Sequence, residues 1–236
     1  MSDYERYMDY DGVHDDDHLL HPPSKTAVVF KILCKCLLVL TCLFVVGVLA
    51  FRMVFASWYP ASAKELKMTP AISAAYQANG SLTALSQDMI APWEDRTNGF
   101  FIADNLIVIK ESGSIQLSVR INHANYAYIA EKVKQSEEAV KENLSFALYY
   151  GAEQTPLTYV PTSVTVDSKF YYDYYKICFD GVDISDSVPW YRLNIHVNGY
   201  ADSEEKPYAG ILVYENNEEY NVFYPYEISK KELQAK

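Results

Sequence analysis

The sequence predicts a mainly β protein: an extracytoplasmic β-sandwich of immunoglobulin-like size with one inserted helix, preceded by a single transmembrane helix. Three observations carry that expectation. Residues 36–51 hold no charged side chain, and Lys35 and Arg52 fence the run. From Gly99 onward apolar residues recur at every second position, the period of a strand with one wet face. Only one stretch of that half, 126–142, has helical spacing. The same strands would also suit a partly open β-barrel.

The first 24 residues, rich in acids and ending near Pro22-Pro23, read as a disordered cytoplasmic tail with a net charge of −6. Within it HDDDHLLH places His14, His18 and His21 at spacings of four and three, on one face if helical. Such a cluster is geometrically able to hold a divalent ion, but without a folded shell it reads as solvated tail. Tyr4, Tyr7 and Tyr10 stand near acids in the pattern of phosphorylation sites, with nothing to establish a suitable kinase.

Residues 25–59 form the juxtamembrane segment and the span, with a net charge of +4. Counted from Leu33 to Phe55 the apolar helix has 23 positions, about 35 Å, enough to cross a hydrocarbon layer of about 30 Å with some tilt. Lys31, Lys35 and Arg52 serve as interface anchors, their stems lying along the helix while the charges reach the headgroups. Trp58 and Tyr59 fall where an aromatic belt is expected, and Pro60 stops the helix. The span is apolar all round, unlike a core helix, whose polar residues recur at three and four positions. Ala61-Ser62-Ala63 has the form of a signal-peptidase site, but the long acidic leader and the length of the apolar run favour an uncleaved signal-anchor. No small residue precedes Cys34, Cys36 or Cys42, which argues against a lipidated cysteine. Lys31 and Lys35, set in the first turns, favour a cytoplasmic N-terminus and a single-pass cell-membrane protein.

Residues 60–98 read as a stalk with a short helix. Thr69 is placed to cap it, Pro70 to open it and Asn79-Gly80 to end it. Residues 99–236 form the β-rich extracytoplasmic domain. Its strand candidates are 106–110, 115–121, 144–150, 162–166, 170–179, 190–197, 209–214 and 220–226, with the last two joined across 215–219. In IQLSVRI, Ile115, Leu117, Val119 and Ile121 face the core and Gln116, Ser118 and Arg120 face away. In WYRLNIHV, Tyr191, Leu193, Ile195 and Val197 face inward. The Cys…Trp…Cys pattern of antibody domains is absent, so likeness to them stops at architecture.

Chemistry is sparse. The chain has no nucleophile elbow, phosphate loop, HExxH or CxxC, and it is expected not to be an enzyme and to need no cofactor. The net charge of −11 makes nucleic acid a poor partner. Cys178 stands alone in the large domain, so no internal disulfide forms there, and it reads as a buried strand residue. His123 and His196 read as lone polar residues. Asp183 and Asp186 make a weak polar cluster without the ligand spacing of a calcium loop. The unusual feature is FYYDYYKICF. If Tyr171, Tyr175, Ile177 and Phe179 form core, then Phe170, Tyr172 and Tyr174 face outward or against the inserted helix. As an outward set they would form a binding face for a protein or glycan outside the membrane. The reading is a bilayer anchor through residues 33–55 carrying a binding or scaffold domain, with an accessory subunit of a larger membrane complex as the alternative.

Overall fold

A computed structural model describes residues 25–56, 59–89, 99–151, 156–185, 187–198, 200, 207–215 and 224–228. The acidic tail, its histidine cluster, Trp58 and Asp186 lie outside the described residues. The chain forms two units, 1–57 and 58–236.

The first unit is helix α1 (Lys25–Ala56). Its segment Val28–Arg52 is long and apolar enough to cross a membrane, and none of that segment is buried. A soluble core helix with this composition would be covered. Here the described apolar side chains from Val28 to Phe51 stand open, as a lipid-facing surface requires. Thr41 returns its hydroxyl to the Leu37 carbonyl at 2.9 Å, so the polar group inside the run is satisfied within the helix.

The second unit holds helices α2 (Ala61–Lys64), α3 (Pro70–Asn79), α4 (His123–Val133) and α5 (Glu137–Glu142). Its strands are β1 (Thr83–Met89), β2 (Phe101–Ile109), β3 (Ser114–Asn122), β4 (Leu144–Tyr150), β5 (Leu157–Tyr159), β6 (Ser163–Ser168), β7 (Tyr172–Phe179), β8 (Trp190–Val197), β9 (Ala209–Glu215) and β10 (Tyr224–Glu227). They make a six-stranded sheet in the order β10-β1-β2-β3-β7-β6 and a four-stranded sheet in the order β5-β4-β8-β9. Every described pairing is antiparallel, and neither sheet closes into a barrel.

Alternation sets the main core. Ile115, Leu117, Val119 and Ile121 of β3 and Tyr175, Ile177 and Phe179 of β7 join Leu193, Ile195 and Val197 of β8 and Ile211 and Val213 of β9 in one apolar cluster. Helix α4 adds Tyr126, Ile129 and Ala130 to the same cluster. A second, smaller cluster lies under α3, where Ile72 meets Leu82, Ala84, Ile107, Ile109 and Ile228. LIVI of β2 is therefore apolar at consecutive positions because both of its faces are covered.

Several expectations change. Residues 83–89, expected in a stalk, form β1 and pair with β2 and β10 inside the larger sheet. The expected hairpin across 215–219 does not form a single sheet: β9 pairs with β8, and β10 pairs with β1. The inserted helix is two helices, because Lys134 takes a left-handed conformation (φ 57°) that ends α4, and Ser136 caps α5 by accepting from the Ala139 amide. Helix α3 keeps its expected signals, with Thr69 accepting from the Ile72 amide at 3.3 Å and Gly80 left-handed at its end. The β2–β3 connection is a 3-10 turn at Lys110–Ser112 closed by Gly113 at φ 60°. A Cβ there would lie 2.8 Å from the Val182 carbonyl oxygen, so the turn needs glycine twice over.

Candidate functional site

The far side of the six-stranded sheet, away from the main core, is expected to be wet along β3, and along β7 to be either open or covered by the inserted helix. It is covered. Residues 59–69 run across it and are held by side chains of the strands. Gln116 accepts from the Lys67 amide at 2.9 Å and donates to the Lys67 carbonyl at 2.5 Å, satisfying both polar groups of one residue as a neighbouring strand would. Ser118 donates to the Ala63 carbonyl, and Thr69 donates to Asp180 at 2.9 Å. Gln116 and Ser118 are fully buried.

This cover decides the fate of the tyrosine strand. Tyr174 is buried, its ring 4.8 Å from that of Tyr59, so it cannot belong to an open binding face. Tyr172 is half-buried. Phe170 is 63% exposed, and its ring meets Tyr171 edge-on at 4.7 Å. Tyr171 is half-buried and precedes β7, whereas it was expected in the core. The inserted helix is not the cover: α4 packs on the core side, where the Tyr126 and Tyr175 hydroxyls share a 2.8 Å hydrogen bond. Tyr59 was assigned to the membrane interface. It packs on Tyr174, with Lys64 Nζ 5.3 Å from its ring centre, and burial raises its phenol well above the usual range.

An open cleft of about 290 Å³ remains beside Tyr172, lined by Phe100, Ile102, Arg120, Asn122, Asn125 and Tyr172 together with small residues. The register explains the grouping: Arg120 pairs with Tyr174, Ile121 with Asp173 and Asn122 with Tyr172 at the end of the β3–β7 ladder. The Arg120 guanidinium lies 5.6 Å over the Tyr172 ring and 3.3 Å from Asp104. Burial pushes the Asp104 carboxyl upward, and the Arg120 charge opposes it. Asn125 donates to the Phe100 carbonyl at 3.3 Å, and Asn122 caps α4 through the Ala124 amide at 2.9 Å. Phe100 packs 4.9 Å from Tyr128.

Next to this cleft in sequence, His123 Nε2 lies 3.0 Å from Asp173 Oδ1. Burial alone would raise the Asp173 carboxyl, but hydrogen bonds from Ser168, Tyr126 and His123 hold it below the usual carboxylate range. His123 was read as a lone polar residue. The signal that finds its partner is the single aspartate interrupting an aromatic strand, whose burial demands a donor. Asp183 is exposed and ties its own turn by accepting from the Ser185 amide at 3.0 Å. Among the described residues no group of acids, histidines and cysteines has metal-binding geometry. Cys34, Cys36 and Cys42 are exposed on α1 and Cys178 is buried, all as free thiols.

Compared with protein-family models, with curated proteins and with solved structures, the chain matches none.

Proposed function

We propose that the chain is a single-pass, membrane-anchored binding module, with α1 as an uncleaved anchor, the N-terminus cytoplasmic and the β domain outside as a two-sheet sandwich. The observation that carries the binding role is the cleft at Arg120 and Tyr172. It combines the rings of Tyr172 and Phe100, two carboxamides and a guanidinium lying over the Tyr172 ring and ion-paired with Asp104, so its recognition is polar and aromatic rather than ionic. The acidic domain disfavours polyanions. A sugar ring, with an apolar face and a rim of hydroxyls, fits this lining, and a glycan is the proposed ligand class. No catalytic step is assigned. The test is glycan-array binding of the full chain in detergent, followed by Tyr172→Ala and Asn125→Ala. Loss of signal in both with unchanged unfolding supports the reading, and binding indifferent to both contradicts it.

A second reading, as a subunit or scaffold for another protein, rests on β6. Among the described residues it pairs only with β7, and its Val164 and Val166 are 41% and 53% exposed. An apolar edge strand is a template for pairing with another chain. Orientation is read by a membrane-impermeant thiol label on Glu138→Cys and Ser2→Cys in intact cells, with the cysteines of α1 replaced. Labelling of Glu138→Cys alone is expected, and the reverse pattern would move both readings to the cytoplasm.

A further inference from the structure

Lys176 lies mid-strand in β7, on the face covered by residues 59–69, with Ser118 and Thr165 as its neighbours across the ladder. Its side chain is 2% exposed. Its Nζ donates one long hydrogen bond, 3.4 Å, to the Ala63 carbonyl. No carboxylate lies within ion-pair distance of it among the described residues. A buried ammonium in that position is under-satisfied: it has three donors, one long acceptor and no counter-charge. Burial lowers its pKa to about 8, so near neutrality most copies still carry the charge.

Lys176 is also one wall of a cavity of about 160 Å³, lined with it by Ser62, Ala63, Thr165, Val166, Asp167 and Tyr174. By the share of volume a liquid water occupies, this is room for roughly five waters, or for a carboxylate on a chain of two or three carbons. Val166 and Ala63 supply apolar wall and Thr165 a hydroxyl. Asp167 limits the charge the cavity accepts. Its carboxylate is held by Lys169 at 2.8 Å and Ser62 at 2.7 Å, so a single negative charge at Lys176 is tolerated, whereas a phosphate dianion would face it.

We infer that Lys176 and this cavity form a binding site for a small monocarboxylate, whose oxygens take the unmet hydrogen bonds of the buried ammonium. The carboxylate has two possible sources: a free short-chain acid, or the end of a peptide lying along the edge of β6 left unpaired among the described residues, whose Thr165, Val166 and Asp167 line the cavity. This site is separate from the cleft at Tyr172 and does not rest on the glycan reading.

The experiment titrates the full chain in detergent with propionate, propionamide, a short peptide ending in a free carboxylate and the same peptide ending in an amide. Binding is read by saturation-transfer NMR. The expected result is saturable binding of at least one carboxylate and of neither amide. Affinity should fall about tenfold per pH unit above pH 8 as the amine loses its proton. Binding of both carboxylates, or of propionate alone, assigns a free acid, and binding of the peptide alone assigns a chain end. Lys176→Met should abolish the signal. Because the amide controls and the pH series use the unaltered protein, a misfolded variant does not blunt the test. Equal binding of acid and amide, pH-independent affinity, or no saturable carboxylate binding into the millimolar range would overturn the inference.

Discussion

The two faces of the six-stranded sheet are built by the same strands and buried by different means. Toward the main core, β3 presents Ile115, Leu117, Val119 and Ile121, covered by apolar side chains of the other sheet and of α4. On the opposite face it presents Gln116, Ser118 and Arg120, and the first two are just as buried. Their cover is a backbone segment, residues 59–69, bound through its own amide and carbonyl groups. One face is stabilised by removing apolar area from water. Along β3 the other must match each hydrogen bond it takes from water, and its apolar gain comes from elsewhere on the face, where Tyr174 lies under Tyr59 and Ile107 and Ile109 lie under α3. Polarity in a strand therefore does not imply exposure when a chain segment lies across it.

The difference predicts a ranking of damage. Leu117→Ala, on the apolar face, should lower unfolding stability by about 3 kcal/mol through lost transfer energy and a cavity, measured by denaturant titration of the full chain in detergent. Tyr174→Ser should cost nearly as much, about 3 kcal/mol, because its ring is buried under Tyr59. A near-zero cost would mean the segment does not cover the strand.

The next effect belongs to Lys176 and is read as a pH dependence. Its folded-state pKa, about 8, lies below the ordinary 10.5, so the unfolded chain binds more protons between those values. Stability should rise with pH across that window, by on the order of 3 kcal/mol in full. Neighbouring Cys178 works slightly against the lowering, and Asp167 shares the cavity. Lys176→Met removes the rise, so the wild-type-minus-variant difference separates it from buried phenols such as Tyr59, whose raised pKa makes stability fall with pH from the unfolded value of 10.0 upward. A flat difference would show that the amine is solvated.

Smaller still, Gln116→Ala should cost about 2 kcal/mol by leaving the Lys67 amide and carbonyl without partners, and should open residues 60–69 to proteolysis. Phe170→Ser, on an exposed ring, should stay within about 0.5 kcal/mol.

Periodicity made the apolar face legible. β4 and β8 fall at the expected residues, and the inward sets of β3 and β8 are buried as the alternation requires. The apolar anchor was legible by length and composition alone. The polar face was not, because Gln116 and Ser118 bury themselves against backbone, which leaves no pattern in the sequence of the covering segment. TALSQDM of β1 carries little strand signal because its alternation is weak, with Ala84 and Gln87 among its buried residues. Of the outward aromatic set, only Phe170 and part of Tyr172 remain available, and the cleft depends on Arg120, Asn122 and Asn125, which come from the β3–α4 junction. That grouping arises from register across about fifty residues, which spacing along the chain does not reveal.

The most direct test of the covered polar face is hydrogen exchange at the Lys67 amide, whose acceptor is the side chain of Gln116. In the wild-type chain this amide should exchange slowly, with protection approaching that of β3, and Gln116→Ala should release it while the apolar face of β3 stays protected. Rapid exchange of Lys67 in the unaltered protein would contradict the arrangement, because it would mean that residues 59–69 leave the sheet face open to water.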